Sequence, residues 1–137
     1  MSYSERNLTS DFSKYLRKDP ASEVLSFTFA IEFKLKKGKQ RLDFIKDFQP
    51  QQIPSLLKAN NGCVYHKISD QGMNMKPFDS FQICDSRAFV GVMWHKPRKP
   101  KMLYLLNVDL VQEFIGNKCY KINEEDAANN AVFIIRL

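Results

Sequence analysis

A mixed α and β chain with a central sheet is predicted by three patterns. These are an amphipathic opening segment, alternating segments downstream, and intervening stretches punctuated by proline and glycine as helices are. The first twenty residues read as a helix, because Leu8, Phe12, Tyr15 and Leu16 form one apolar stripe and Asp19-Pro20 stops it. Residues 24–36 alternate: Phe27, Phe29, Ile31, Phe33 and Leu35 share one face, and Thr28, Ala30, Glu32, Lys34 and Lys36 the other. That is a strand, turned by Lys37-Gly38-Lys39, and its strongly apolar face predicts a central place in the sheet.

Pro50 and Pro54 fit only the first turn of a helix, which therefore begins near them and closes at Asn61-Gly62. Residues 63–69 read as a second strand, so strand–helix–strand over 27–69 predicts a parallel crossover. Residues 80–84 and 88–94 read as a hairpin around Asp85-Ser86-Arg87. Two prolines and four cations bar residues 95–101 from a central strand. A strand over 102–106, a helix over 107–115 capped by Asn107, and a final strand over 131–137 complete the pattern.

The chain has 137 residues, 44% hydrophobic and 26% charged, which predicts one folded domain over 1–137 and excludes a disordered tail. The longest apolar stretch, residues 24–31, is far too short to span a membrane, and residues 1–6 lack the apolar core of a signal peptide. An intracellular, cytoplasmic protein without membrane association is expected. Cys63, Cys84 and Cys119 form no C-x-x-C pair and read as free thiols packed like small hydrophobes. His66 and His95 lack ligand spacing, and Trp94 reads as packing.

Glu32-Phe33-Lys34 carries the first chemical signal. Residues i and i+2 of a strand project from one face, so carboxylate and ammonium point the same way. Such a pair suits a divalent cation at Glu32 with Lys34 stabilising charge on a phosphate. It equally suits a solvated ion pair. Asp79, after Pro77-Phe78, can complete a metal site or cap a turn. Gln49, Gln51 and Gln52 at a helix start suit a phosphate, a water, or plain solvation.

The net charge of +6 is concentrated. Lys34, Lys36, Lys37, Lys39 and Arg41 occupy one run, and Lys96, Arg98, Lys99 and Lys101 a second. Both lie at the ends of expected strands, and runs of this kind grip a polyphosphate backbone or simply solubilise an edge.

Glu32-Phe33-Lys34, a basic turn, Phe48-Gln49-x-x-Gln52-x-x-x-Leu56 and Gly62-Cys63-Val64-Tyr65 together resemble the second half of the PD-(D/E)XK nuclease core. The likeness is strongest to Holliday junction resolvases of the RecU and archaeal types. It covers residues 27–69 and, more loosely, 102–125. In that family the metal-binding Asp precedes E-x-K; here Asp79 follows it, so the resemblance implies a permutation-like order. It also implies a restriction-endonuclease-like core, a homodimer, and hydrolysis of DNA phosphodiesters, including branched DNA. In that scheme Asp79, Glu32 and the Phe33 carbonyl hold Mg²⁺, with Mn²⁺ as a substitute. Lys34 stabilises transition-state charge and Gln52 positions water or phosphate. Lys36, Lys37, Lys39 and Arg41 grip DNA together with Lys96, Arg98, Lys99 and Lys101. The strand beginning at Asp79 is then expected beside that of Glu32. The alternatives are a non-catalytic nucleic-acid-binding module of the same fold and a small interaction protein whose E-x-K is a surface ion pair.

Overall fold

The computed structural model describes residues 3–18, 29–67, 80–84 and 87–137. Asp79 lies outside them. The elements run α1 (Glu5–Lys18), β1 (Phe29–Lys37), β2 (Leu42–Asp43), α2 (Gln52–Asn61), β3 (Cys63–Lys67), β4 (Ser80–Cys84) and β5 (Arg87–His95). β6 (Met102–Asn107), α3 (Val108–Gly116), β7 (Lys121–Ile122), α4 (Glu124–Asn130) and β8 (Phe133–Arg136) follow. The fold is α+β, a mixed four-stranded sheet ordered β1-β5-β6-β8 with helices on both faces.

β1 and β5 are parallel, while β5–β6 and β6–β8 are antiparallel. The crossover expected from β1 to β3 is not found. β3 pairs antiparallel with β4 in a separate two-stranded sheet, and the parallel partner of β1 is β5. The expected hairpin of residues 80–94 is likewise split, since β4 and β5 belong to different sheets. The strand that begins next to Asp79 therefore ladders with β3 and not with the strand of Glu32.

β1 also proves to be an outer strand among the described residues, not a central one. The reason lies in the two faces of each strand. β5 buries Ala88, Val90, Val92 and Trp94 on one side and Phe89 and Met93 on the other, as a strand covered on both faces must. β1 carries Glu32, Lys34 and Lys36 along one side, and a charged side is tolerated more cheaply at a margin.

The α1 stripe behaves as its spacing predicts. Leu8 and Phe12 are buried against Phe89, Met93, Leu103, Leu105 and Ile135, with Tyr15, Leu16, Ile31, Phe33 and Leu35 packed around them. The opposite face is covered by α2 through Leu56 and Ala59, by α3 through Val108 and Val111, and by α4 through Ala127. Trp94 is buried there, as expected. Asn107 caps α3 by accepting a hydrogen bond from the Asp109 amide at 2.8 Å. Among the described residues no helix is long and apolar enough to cross a membrane.

Candidate active site

The cluster is built from β1 and the first turn of α2. Successive β1 residues alternate faces, so Ile31, Phe33 and Leu35 enter the α1 core while Ala30, Glu32, Lys34 and Lys36 lie on the α2 side. α2 starts at Gln52 and takes Pro54 into its first turn, where a missing N–H costs nothing.

Gln52 then ties the strand residues together. Its Nε2 donates to Glu32 Oε1 at 2.9 Å, and its Oε1 accepts from Lys34 Nζ at 3.1 Å and from the Gln49 amide at 2.9 Å. Both donors meet the same oxygen, which leaves the amide nitrogen to face Glu32. Lys34 Nζ also lies 3.2 Å from Glu32 Oε1 and 4.8 Å from the centroid of the Phe48 ring. The Lys34 side chain is only 11% exposed and that of Glu32 30%. An ammonium so enclosed needs its acceptors and its aromatic face, because a buried unpaired charge is costly.

The loop between β1 and α2 is held by two further acids. Asp43 Oδ1 accepts from the Ile45 and Lys46 amides at 2.9 and 3.1 Å, and these bonds, Lys46 first, hold its carboxyl below the usual carboxylate range. Asp47 Oδ2 accepts from the Asp43 amide at 2.8 Å and from Lys36 Nζ at 2.9 Å. The loop that carries Phe48 and Gln49 is thus fastened back to β1. Sequence reasoning missed Asp43 and Asp47; Asp43, which accepts from the amide two residues on, forms an Asx turn.

Of the expected site residues, Glu32, Lys34 and Gln52 come together and Phe33 lies between them on the strand. Gln52 serves mainly to orient the other two, one amide hydrogen remaining for a ligand. The cluster contains one carboxylate, and among the described residues no group of three or more His, Cys, Asp or Glu is gathered for a metal. Glu32 Oε1 is engaged, whereas its second oxygen makes no hydrogen bond or ion pair among the described residues. Mg²⁺ is commonly held by one or two carboxylates with waters and phosphate oxygens completing the shell, and the second Glu32 oxygen is the one carboxylate donor this cluster offers such a cation.

The two basic runs meet. Lys37 and His95 are partners at the ends of the parallel strands, and the Gly38 amide donates to the His95 carbonyl at 3.2 Å. Three of the eight expected DNA-gripping residues are committed to ion pairs: Lys36 with Asp47, Lys96 with Glu124 at 2.6 Å, and Lys101 with Asp11 at 3.1 Å. Lys37, Lys39, Arg41, Arg98 and Lys99 are exposed.

No protein-family model matches the chain, and neither a curated protein nor a solved structure does.

Proposed function

We propose that the chain is a Mg²⁺-dependent endonuclease that hydrolyses DNA phosphodiesters at the Glu32–Lys34–Gln52 cluster, within a restriction-endonuclease-like core resembling that of Holliday junction resolvases. One observation supports this reading above the others. Gln52, brought from another element, bonds both members of the E-x-K pair, and Phe48 covers the ammonium. A solvated surface ion pair needs neither.

In this reading Glu32 would hold the cation, which would supply charge neutralisation at the phosphate and a more acidic water. Lys34 presents a fixed positive charge from a partly water-excluded wall, where it stabilises negative charge developing on phosphoryl oxygens more strongly than in bulk solvent. Gln52 keeps that ammonium and the Glu32 carboxylate in register, so little reorganisation is needed when substrate arrives. A non-catalytic nucleic-acid-binding module is the second reading, favoured by the single carboxylate in the hydrogen-bonded cluster.

The test is Mg²⁺-dependent cleavage of linear and branched DNA by the full chain. Glu32→Gln keeps the side-chain volume and an oxygen for Gln52 and Lys34 but removes a ligand charge, and should abolish cleavage while the chain stays folded. Lys34→Ala should slow cleavage more than it weakens DNA binding. If Glu32→Gln cuts as well as the parent, hydrolysis at this cluster is refuted; if the parent itself binds DNA and does not cut it with Mg²⁺, the binding module stands.

A further inference from the structure

We propose that the β1–β2 turn and the β5–β6 turn form a two-pronged cradle for the phosphate backbone of duplex DNA. Its gripping charges are Lys37, Lys39, Arg41, Arg98 and Lys99, and it reads no sequence. The proposal deepens the nucleic-acid reading above and rests on it only for the choice of DNA as the polyanion.

Parallel pairing supplies the placement. Because β1 and β5 run the same way, the chain leaves both strands at one end of the sheet, with Lys37 opposite His95. The first prong turns at Gly38, whose φ of 59° is glycine's own territory. The second turns through Pro97, Arg98 and Lys99, closed by the Lys99 amide donating to the Lys96 carbonyl at 3.2 Å.

A left-handed residue forms the tip of the second prong. Arg98 sits at φ 62°, a left-handed conformation that a long side chain adopts only at a cost. Glycine or asparagine would satisfy that turn without it. Lys118, outside both turns, has the same conformation at φ 60°, so the backbone serves here to place the Arg98 charge at the tip of the turn and does not by itself mark a binding position.

The ion pairs divide the two runs. Lys36, Lys96 and Lys101 are already paired with carboxylates and release few counterions on binding, whereas the five exposed cations form no ion pair among the described residues, Lys39 and Arg41 lining one hollow with Glu124 and Glu125. Lys37 lies five positions along β1 from Glu32. At about 3.3 Å per residue, the cradle lies some 16 Å along β1 from the cluster, about five base pairs of duplex.

The salt dependence of binding tests this. The full chain is titrated in EDTA, where no Mg²⁺-dependent cutting occurs, with two labelled duplexes of about 20 base pairs and unrelated sequence. Five phosphate contacts predict a log–log slope near −4.5, a loss of about 500-fold between about 50 and 200 mM salt, against about −7 if all eight cations engaged. Lys39→Ala with Arg41→Ala should reduce the slope by about 1.8. Arg98→Gly should reduce it by about 0.9 while raising the melting temperature by about 2 °C, so that affinity and stability move in opposite directions. Unchanged slopes in these variants overturn the cradle, as does a slope near −7 or a strong preference for one sequence. A chain that shows the predicted slopes yet never cuts DNA with Mg²⁺ supports the cradle and removes the nuclease; a chain that cuts through Glu32 with unaltered slopes does the reverse.

Discussion

Replacing Gln52 with leucine removes three hydrogen bonds at once, and the structure sets the cost. The bonds run to Lys34 Nζ, Glu32 Oε1 and the Gln49 amide, at 3.1, 2.9 and 2.9 Å. Bonds to ionised partners contribute about 1.5–3 kcal/mol each and neutral ones about 1 kcal/mol. Water reaches Glu32, so its share belongs at or below the low end, and Lys34 keeps Glu32 at 3.2 Å and the Phe48 ring after the change. Leucine regains up to about 1 kcal/mol by burying apolar surface. Gln52→Leu should therefore cost about 2–3 kcal/mol, lowering the melting temperature by about 6–12 °C. Urea unfolding followed by circular dichroism measures it, with the m-value required to stay constant so that the midpoint reports stability alone. Gln51→Leu is the control, since that exposed amide donates to Gln49 Oε1 at 2.7 Å and should matter by less than about 0.5 kcal/mol. A Gln52→Leu chain no less stable than this control would show that the amide does not bind Glu32 and Lys34 together in solution.

Further outcomes follow from the loop and the sheet. Asp43 has a carboxyl held below its ordinary value, so its contribution is full above the ordinary carboxylate range and is lost as pH falls through the lowered native value. Asp43→Asn should flatten the acid limb of stability below about pH 4, as read from urea midpoints, with Asp11 keeping its own share; an unchanged limb refutes the assignment. A Cβ at Gly91 would meet Ile31 Cγ2 and Phe33 Cδ1 at 3.0 Å and Leu105 Cδ2 at 3.2 Å. Gly91→Val should overpack that site and cost about 2–3 kcal/mol, and a chain within 0.5 kcal/mol of the parent, roughly, would mean that the α1 face is loosely packed.

Short-range patterns were legible in the sequence. The α1 stripe, the two faces of β1, the proline-led start of α2 and the Asn107 cap all follow from the spacing of a few residues, and each has its structural counterpart. Pairing was not legible, because alternation says which face a residue takes and nothing about which strand lies beside it. β1 finds β5 rather than β3, and the β2–β7 ladder has two residues per strand, too few to form a pattern. α4 was missed because Glu124-Glu125-Asp126-Ala127-Ala128-Asn129-Asn130 has no apolar stripe; its capping box at Asn123 and Asp126 is the readable signal. For the cluster, E-x-K and the glutamine were visible in one dimension, but only the fold puts Gln52 between Glu32 and Lys34. The placement of Asp79 falls outside the described residues.

The parallel pairing of β1 with β5 also bears on how the chain reaches its native state. β5 and β6 are joined by residues 96–101, whereas β1 reaches β5 only after residues 38–86 have been looped out. Closing the short loop costs about 1.6 kcal/mol in chain entropy and the long one about 3.4 kcal/mol, apart from a common constant. The antiparallel strands can therefore zip together before β1 returns any contact energy, and pairings between distant segments set the slow step of folding. β1 carries Glu32 and Lys34, so the E-x-K pair meets its sheet neighbours late. A chain opened at the β1–β5 ladder would lack an assembled Glu32–Lys34–Gln52 cluster, which would couple whatever chemistry those residues perform to the completion of that pairing.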